Sequence, residues 1–161
     1  MAKLVIGIMY SDRELFEEVK KVLEEKFSKI EDSVSYDFNF TKYYEKEMDP
    51  NLKKDILIFE QEIKEEQLAE IKSYTNSLED DYRINNNRRI NLDPGYLTKE
   101  ELILASNKKS NCKAEIGKNI YSHLTLRFEN GICVNTTRTY PDYRTEKVQG
   151  FLTKIVKKWF R

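Results

Sequence analysis

A chain of 161 residues can bury a core without disulfides or a structural metal, and residues 1–161 are expected to form a single domain. Its 28 lysines and arginines balance 28 aspartates and glutamates, so no net field draws it to nucleic acid or an anionic membrane. The first apolar run, "LVIGIMY", is far shorter than the ~20 residues of a spanning helix and no cleavage site follows it, which points to the cytoplasm and away from a membrane partner.

In chain order, Lys3–Tyr10 is apolar and β-branched, the pattern of a buried strand. Ser11 and Glu14 have capping-box spacing ahead of a helix whose stripe is Leu15, Phe16, Val19, Val22 and Leu23. "SVSYDFNF" alternates, with Val34, Tyr36, Phe38 and Phe40 on one face of a second strand. "DILIFEQEI" predicts a third strand. "KEEQLAEIKSYTNSLEDDY" predicts a helix with Leu68, Ile71, Thr75, Leu78 and Tyr82 along one stripe, and "RRINL" a fourth strand ending in a turn at Asp93-Pro94-Gly95. This β-α-β-β-α-β order predicts an α+β fold with a ferredoxin-like core and an antiparallel sheet.

Beyond the turn, Thr98 and Glu101 predict a short helix over "KEELILA". A C-terminal β-meander and a final helix, Glu146–Phe160, extend the core. Keeping apolar residues on one face favours a three-residue loop that pairs Phe128 with Ile132, and a second that pairs Ile116 with Ile120 and sets Cys112 and Ala114 on the core face. Cys112 and Cys133 match neither zinc nor redox spacing and are read as free thiols.

No phosphate loop, dinucleotide-binding fingerprint, zincin motif or nucleophile elbow occurs, and no cofactor is expected. Three loop clusters carry the chemistry that is left. They are Tyr43, Tyr44 and Glu47; Asn91, Asp93 and Tyr96; and Arg138, Tyr140, Asp142, Tyr143 and Arg144. Each alone is ordinary turn or surface chemistry. Together they mix flat apolar rings, phenol donors, carboxylates and guanidinium forks, as a pocket for a small polar or anionic ligand requires. In this reading Arg138 and Arg144 hold an anion, and Asp93, or the single histidine, His123, is the acid or base. A metal is not expected, because nothing fixes the approach of the carboxylates to one histidine.

The words "YSDRELFEE", "NFTKYYEKEM", "LAEIKSYTNSLE", "RRINLDPGYLT" and "TYPDYR", in this order, resemble an uncharacterised prokaryotic family, domain of unknown function 4416, over nearly the whole chain. The resemblance implies no established activity. Some members are called GTP-binding proteins, yet this sequence lacks the phosphate loop that such binding would use. The matching positions include Tyr43, Tyr44, Glu47, Met48, Asn91, Asp93 to Tyr96, and Tyr140 to Arg144.

Two further readings compete with a ligand site. One is a non-catalytic module that presents a sheet face of Tyr121, His123, Thr125 and Arg127 to a protein or single-stranded RNA. The balanced charge and the core-like spacing of Tyr36, Phe38 and Phe40 make nucleic acid an unfavoured partner. The other is a structural or assembly role. Oligomeric state is left open.

Overall fold

All nine residues of the first strand, β1 (Ala2–Tyr10), are buried, the signature of a central strand covered on both faces. The computed structural model describes residues 1–160. After β1 come α1 (Arg13–Lys26), β2 (Ile30–Asp37), α2 (Glu45–Met48), β3 (Lys53–Ile63), α3 (Leu68–Asp81), β4 (Ile90–Leu97), β5 (Glu101–Ser106), β6 (Ala114–Gly117), β7 (Ile120–Glu129), β8 (Ile132–Asn135) and α4 (Glu146–Trp159). The fold is α+β, with one open antiparallel sheet in the order β2-β3-β1-β4-β5-β7-β6 and β8 paired to the far end of β7.

Helices cover the two faces. Leu15, Phe16, Val19 and Leu23 of α1 and Leu68, Ile71 and Leu78 of α3 pack on one face against Leu4, Ile6, Ile8, Leu57 and Leu92. Val148, Phe151, Leu152 and Ile155 of α4 pack on the other against Val5, Ile56, Ile58 and Leu104. The expected stripes of α1 and α3 are therefore buried or half-buried. The N-cap of α1 is Asp12, not Ser11. Its Oδ1 accepts from the N–H groups of Glu14 and Leu15, while Ser11 Oγ donates to the Met48 carbonyl.

Three local expectations fail, each where tertiary pairing outweighs a local signal. Asp93-Pro94-Gly95 is not a turn: it runs inside β4, where Gly7, Ile6 and Val5 of β1 face those three residues in turn. Gly95 is not left-handed, Gly131 being the one glycine with positive φ. Its lack of a side chain serves close strand approach instead, since a Cβ there would fall on the Ile103 carbonyl oxygen and within 2.6 Å of Leu104 Cδ2.

The segment read as a short helix is β5. Leu102 to Ala105 are all buried, a continuous apolar run that a strand covered on both faces accommodates. Thr98 does cap, but it caps a hairpin turn, its Oγ1 accepting from Glu100 and Glu101 N–H.

In the meander, Phe128 faces Cys133 and Glu129 faces Ile132 across a two-residue turn, with Asn130 at φ 52° and Gly131 at φ 80°. Gly117, not Ile116, faces Ile120. The one-face argument fails because β7 is not one-faced. An irregularity opposite Leu102/Ile103 lets Leu124 pack with the α1/α3 layer while Leu126 and Phe128 pack with the α4 layer. Ile132 is exposed, and so is Cys112, which lies in the turn before β6 and not on the core face. Both cysteines are free thiols.

Candidate functional site

Pro94 has no N–H to donate, and the ladder between β4 and β5 covers only Gly95–Leu97 against Leu102–Leu104. On the Leu92 side of the proline the strands are unpaired, and α3 supplies what β5 does not. Glu79 Oε2 accepts from Leu92 N–H at 2.6 Å, and Lys72 Nζ donates to Leu92 C=O at 3.1 Å. Both side chains are almost fully buried. The opening holds a cleft of about 320 Å³, lined from α3 (Lys72, Glu79), β4 (Asn91, Asp93), the end of β5 (Leu104, Ala105, Ser106) and the segment that precedes α4 (Tyr140, Asp142).

At the floor lies Lys54, cross-strand partner of Tyr36 on β2 and Met9 on β1. Lys54 Nζ is 2.9 Å from Asp142 Oδ2 and 3.9 Å from Asp93 Oδ2, with side-chain exposures of 5% for the lysine and 4% for Asp142. Tyr36 donates to the same Asp142 oxygen at 2.6 Å. Gly7 makes room for this group: the nearest atoms to a Cβ there would be Lys54 Cε, Tyr143 Oη and Asp93 Cβ, at 3.1, 3.5 and 3.7 Å.

The polar chain continues outward. Asn91 Nδ2 donates to Asp93 Oδ2 at 3.0 Å, and Arg88 Nη1 donates to Asn91 Oδ1 at 2.8 Å. Arg88 also donates through Nε and Nη2 to both Glu47 oxygens, 3.0 to 3.2 Å away, and its backbone N–H bonds the same carboxylate. The asparagine run delivers this arginine, since Ile84 and Asn87 bridge around Asn85 and Asn86, both at positive φ.

Phe38, Phe40, Tyr43, Tyr44 and Tyr140 add aromatic wall, and Lys108 and Lys113 stand at the mouth. Lys108 Nζ lies 4.1 Å from the centroid of the Tyr43 ring, and Lys113 Nζ donates to Ser106 Oγ at 3.1 Å. One face of Tyr140 stacks on His123 with centroids 4.4 Å apart.

Burial pushes Glu79 up to about 7 against the opposing pull of Lys72, the Leu92 N–H and Arg88, so it exchanges a proton near neutrality. Burial also works against the charge on Lys54, but Tyr143, Asp142, Tyr36 and Asp93 outweigh it and hold the ammonium well above its ordinary range. Lys54 is a fixed cation and not an amine nucleophile. Burial raises Tyr44 and Tyr140 to about 12, leaving both as neutral phenol donors.

The structure brings together Tyr43, Tyr44, Asn91, Asp93, Tyr140 and Asp142 from all three clusters, and Glu47 holds Arg88 at the wall. The other expected residues stand elsewhere. Tyr96 packs with the α1/α3 layer, away from the cleft. Tyr143 is fully buried beneath Lys54, whose Nζ is 4.9 Å from the ring centroid, and supports the floor without lining it. Arg144 spans the carbonyls of Thr139 and Thr136 and closes a loop, forming neither an anion clamp nor a bridge to Asp93 or Glu47. Arg138 lies outside the cleft lining, and its carbonyl bonds His123 Nε2 at 2.9 Å. His123 is buried, not on an open polar face, and burial holds its imidazole below the ordinary range. It does not line the cleft.

Lys54, Lys72, Glu79, Arg88, Lys108 and Lys113 escape the sequence reading. One signal pointed to two of them, because Leu68, Lys72, Thr75, Glu79 and Tyr82 recur at four-and-three spacing, which puts a lysine and a glutamate on a buried stripe. Among the described residues, no group of three or more His, Cys, Asp or Glu side chains is placed to hold a metal ion. No helix among them is long and apolar enough to cross a membrane.

No curated protein and no solved structure matches the chain. Comparison with known families matches residues 1–159 to one described as "Domain of unknown function (DUF4416)". With all but the last two residues matched, the chain belongs to the DUF4416 family.

Proposed function

We propose that the protein binds a small polar or anionic metabolite in the cleft between β4 and β5, with proton transfer available from Glu79. The observation that carries this reading is the buried Lys54–Asp142 pair, with half-buried Asp93 beside it and Lys72 and Glu79 close by, in a cleft of about 320 Å³. Ionised side chains are costly to bury, and a core needing only stability is served as well by apolar residues. Here they face a space of ligand size with aromatic walls. A cytoplasmic setting and a ferredoxin-like assignment of the first four strands belong to the same reading. The second is supported by the spatial order β2-β3-β1-β4 and by α1 and α3 on one face.

The alternative of a protein- or RNA-binding sheet face has less support, since of its four residues Arg127 alone is exposed. Tyr121, His123 and Thr125 are all buried. A thermal-shift screen of metabolites against wild type and Asp93→Asn tests the proposal. A ligand that raises the wild-type midpoint and fails with Asp93→Asn supports it, and Asp93 is exposed enough, at 30%, for the variant to fold. A broad metabolite panel without a single wild-type shift overturns it.

A further inference from the structure

The charges of the cleft are partitioned by depth. At the floor and inner wall, Lys54, Lys72 and Arg88 face Asp142, Asp93 and the Glu47 carboxylate that clasps Arg88, and Glu79, raised to about 7, adds a further negative charge when it is ionised. A ligand group seated there meets both donors and acceptors and no net positive field, which suits an uncharged or zwitterionic hydrogen-bonding group and penalises a compact dianion. At the mouth the balance is broken. Lys108 and Lys113 both line it, and among the described residues neither has a carboxylate within salt-bridge distance. Lys113 is held inward by Ser106 Oγ and the Lys108 carbonyl, each taking one of its three donors and leaving a hydrogen free. Burial, and then the charges of Lys108 and Arg138, bring Lys113 below its ordinary value, so an anion beside it would relieve both cationic neighbours. The rings of Phe40, Tyr43 and Tyr140 also line the cleft, Tyr43 beside Lys108.

Resting on the ligand-site reading above, we infer that the ligand is a small phosphate monoester, its phosphate held at the mouth by Lys108 and Lys113 and its net-neutral, hydrogen-bonding organic part reaching Asp93 and Asp142. A phosphate at the mouth supplies the missing negative charge, and its oxygens accept from ammonium groups that have donors to spare. Placed at the floor, the same dianion would compete with Asp142 for Lys54 and lie against two carboxylates.

Amide-resolved NMR titrations with inorganic phosphate, ribose 5-phosphate and ribose test the assignment. Inorganic phosphate is expected to shift amides of the Asn107–Lys113 segment saturably. Ribose 5-phosphate should move these and also amides of Leu92, Asp93 and Asp142, and ribose alone should leave the mouth unmoved. Lys108→Ala/Lys113→Ala should weaken the phosphate response on the order of tenfold or more, with Lys108→Arg/Lys113→Arg retaining most of it. Phosphate shifts confined to the floor, or an unchanged response in the double alanine variant, overturn the phosphate assignment while leaving the cleft as a binding site. Silence towards all three probes also overturns it, and the metabolite screen then decides separately whether the cleft binds anything.

Discussion

Lys54 is an ammonium with almost no access to water, and its stability depends on the carboxylate beside it. Asp142→Ala removes the 2.9 Å partner and leaves Asp93 at 3.9 Å as the remaining carboxylate within reach. The expected cost is about 3 kcal/mol or more in urea unfolding, the usual result of leaving a buried charge unpaired. Adding Lys54→Met should recover part of that loss, because the lone charge goes with it. A double variant weaker than Asp142→Ala alone would falsify the pairing argument. Glu79 behaves in the opposite sense. Its folded value, raised chiefly by burial from 4.5 to about 7, means that the folded protein binds this proton more tightly than the unfolded chain does. Its contribution is therefore full below pH 4.5 and is lost as pH rises through about 7, a change of about 3 kcal/mol by linkage. Glu79→Gln should flatten the stability profile across that window, and an unaltered slope would show that the titrating group is another.

The two central strands that flank the cleft meet at Gly95, and the meeting is steric. Gly95→Ala is expected to cost more than about 2 kcal/mol, because the new methyl meets the backbone oxygen of Ile103 and the Leu104 side chain, neither of which can withdraw without parting β4 from β5. Gly150 is a useful contrast. It lies exposed within α4, and no atom stands within 4 Å of the place a Cβ would take, so Gly150→Ala should stabilise by up to about 1 kcal/mol through helix propensity alone. Paired melting curves check both. If the two substitutions act alike, glycine flexibility and not strand approach governs position 95. Pro94 completes the element-level picture, since it ends a ladder that would otherwise close the cleft.

Across the sheet, stability should fall from the middle outward. β1 is buried throughout and pairs along nearly its whole length with β3 and β4, whereas β6 and β8 are four residues each and share one neighbour, β7. Amide hydrogen exchange is therefore expected to be slowest in β1 and β3 and fastest in β6 and β8. The Leu92 amide is a specific test, being held by the Glu79 carboxylate and not by a strand. It should be protected in wild type and lose much of that protection in Glu79→Ala. Equal exchange in both would mean that α3 does not substitute for β5 at the opening.

Local pattern sufficed wherever one signal had no competitor. The apolar run of β1 forms the central strand, the stripes of α1 and α3 are the packed faces, and the free cysteines follow from spacing alone. Three loop words also converge in space, so that Tyr44, Asp93 and Asp142 line one cleft. Asp-Pro-Gly misled because turn preferences are worth only about 1 kcal/mol, while β1 and β5 on either side offer β4 a set of hydrogen bonds and a buried apolar environment. Thr98 with Glu101 misled for the same reason, since the capping pattern also suits a hairpin, and burial of Leu102–Ala105 on both faces chose the strand. The floor of the site lay beyond any local reading. Lys54 and Asp142 are separated by 88 positions, and only the folded sheet brings an ammonium from β3, carboxylates from β4 and the α4 approach, and a helix's lysine and glutamate to the gap that Pro94 leaves.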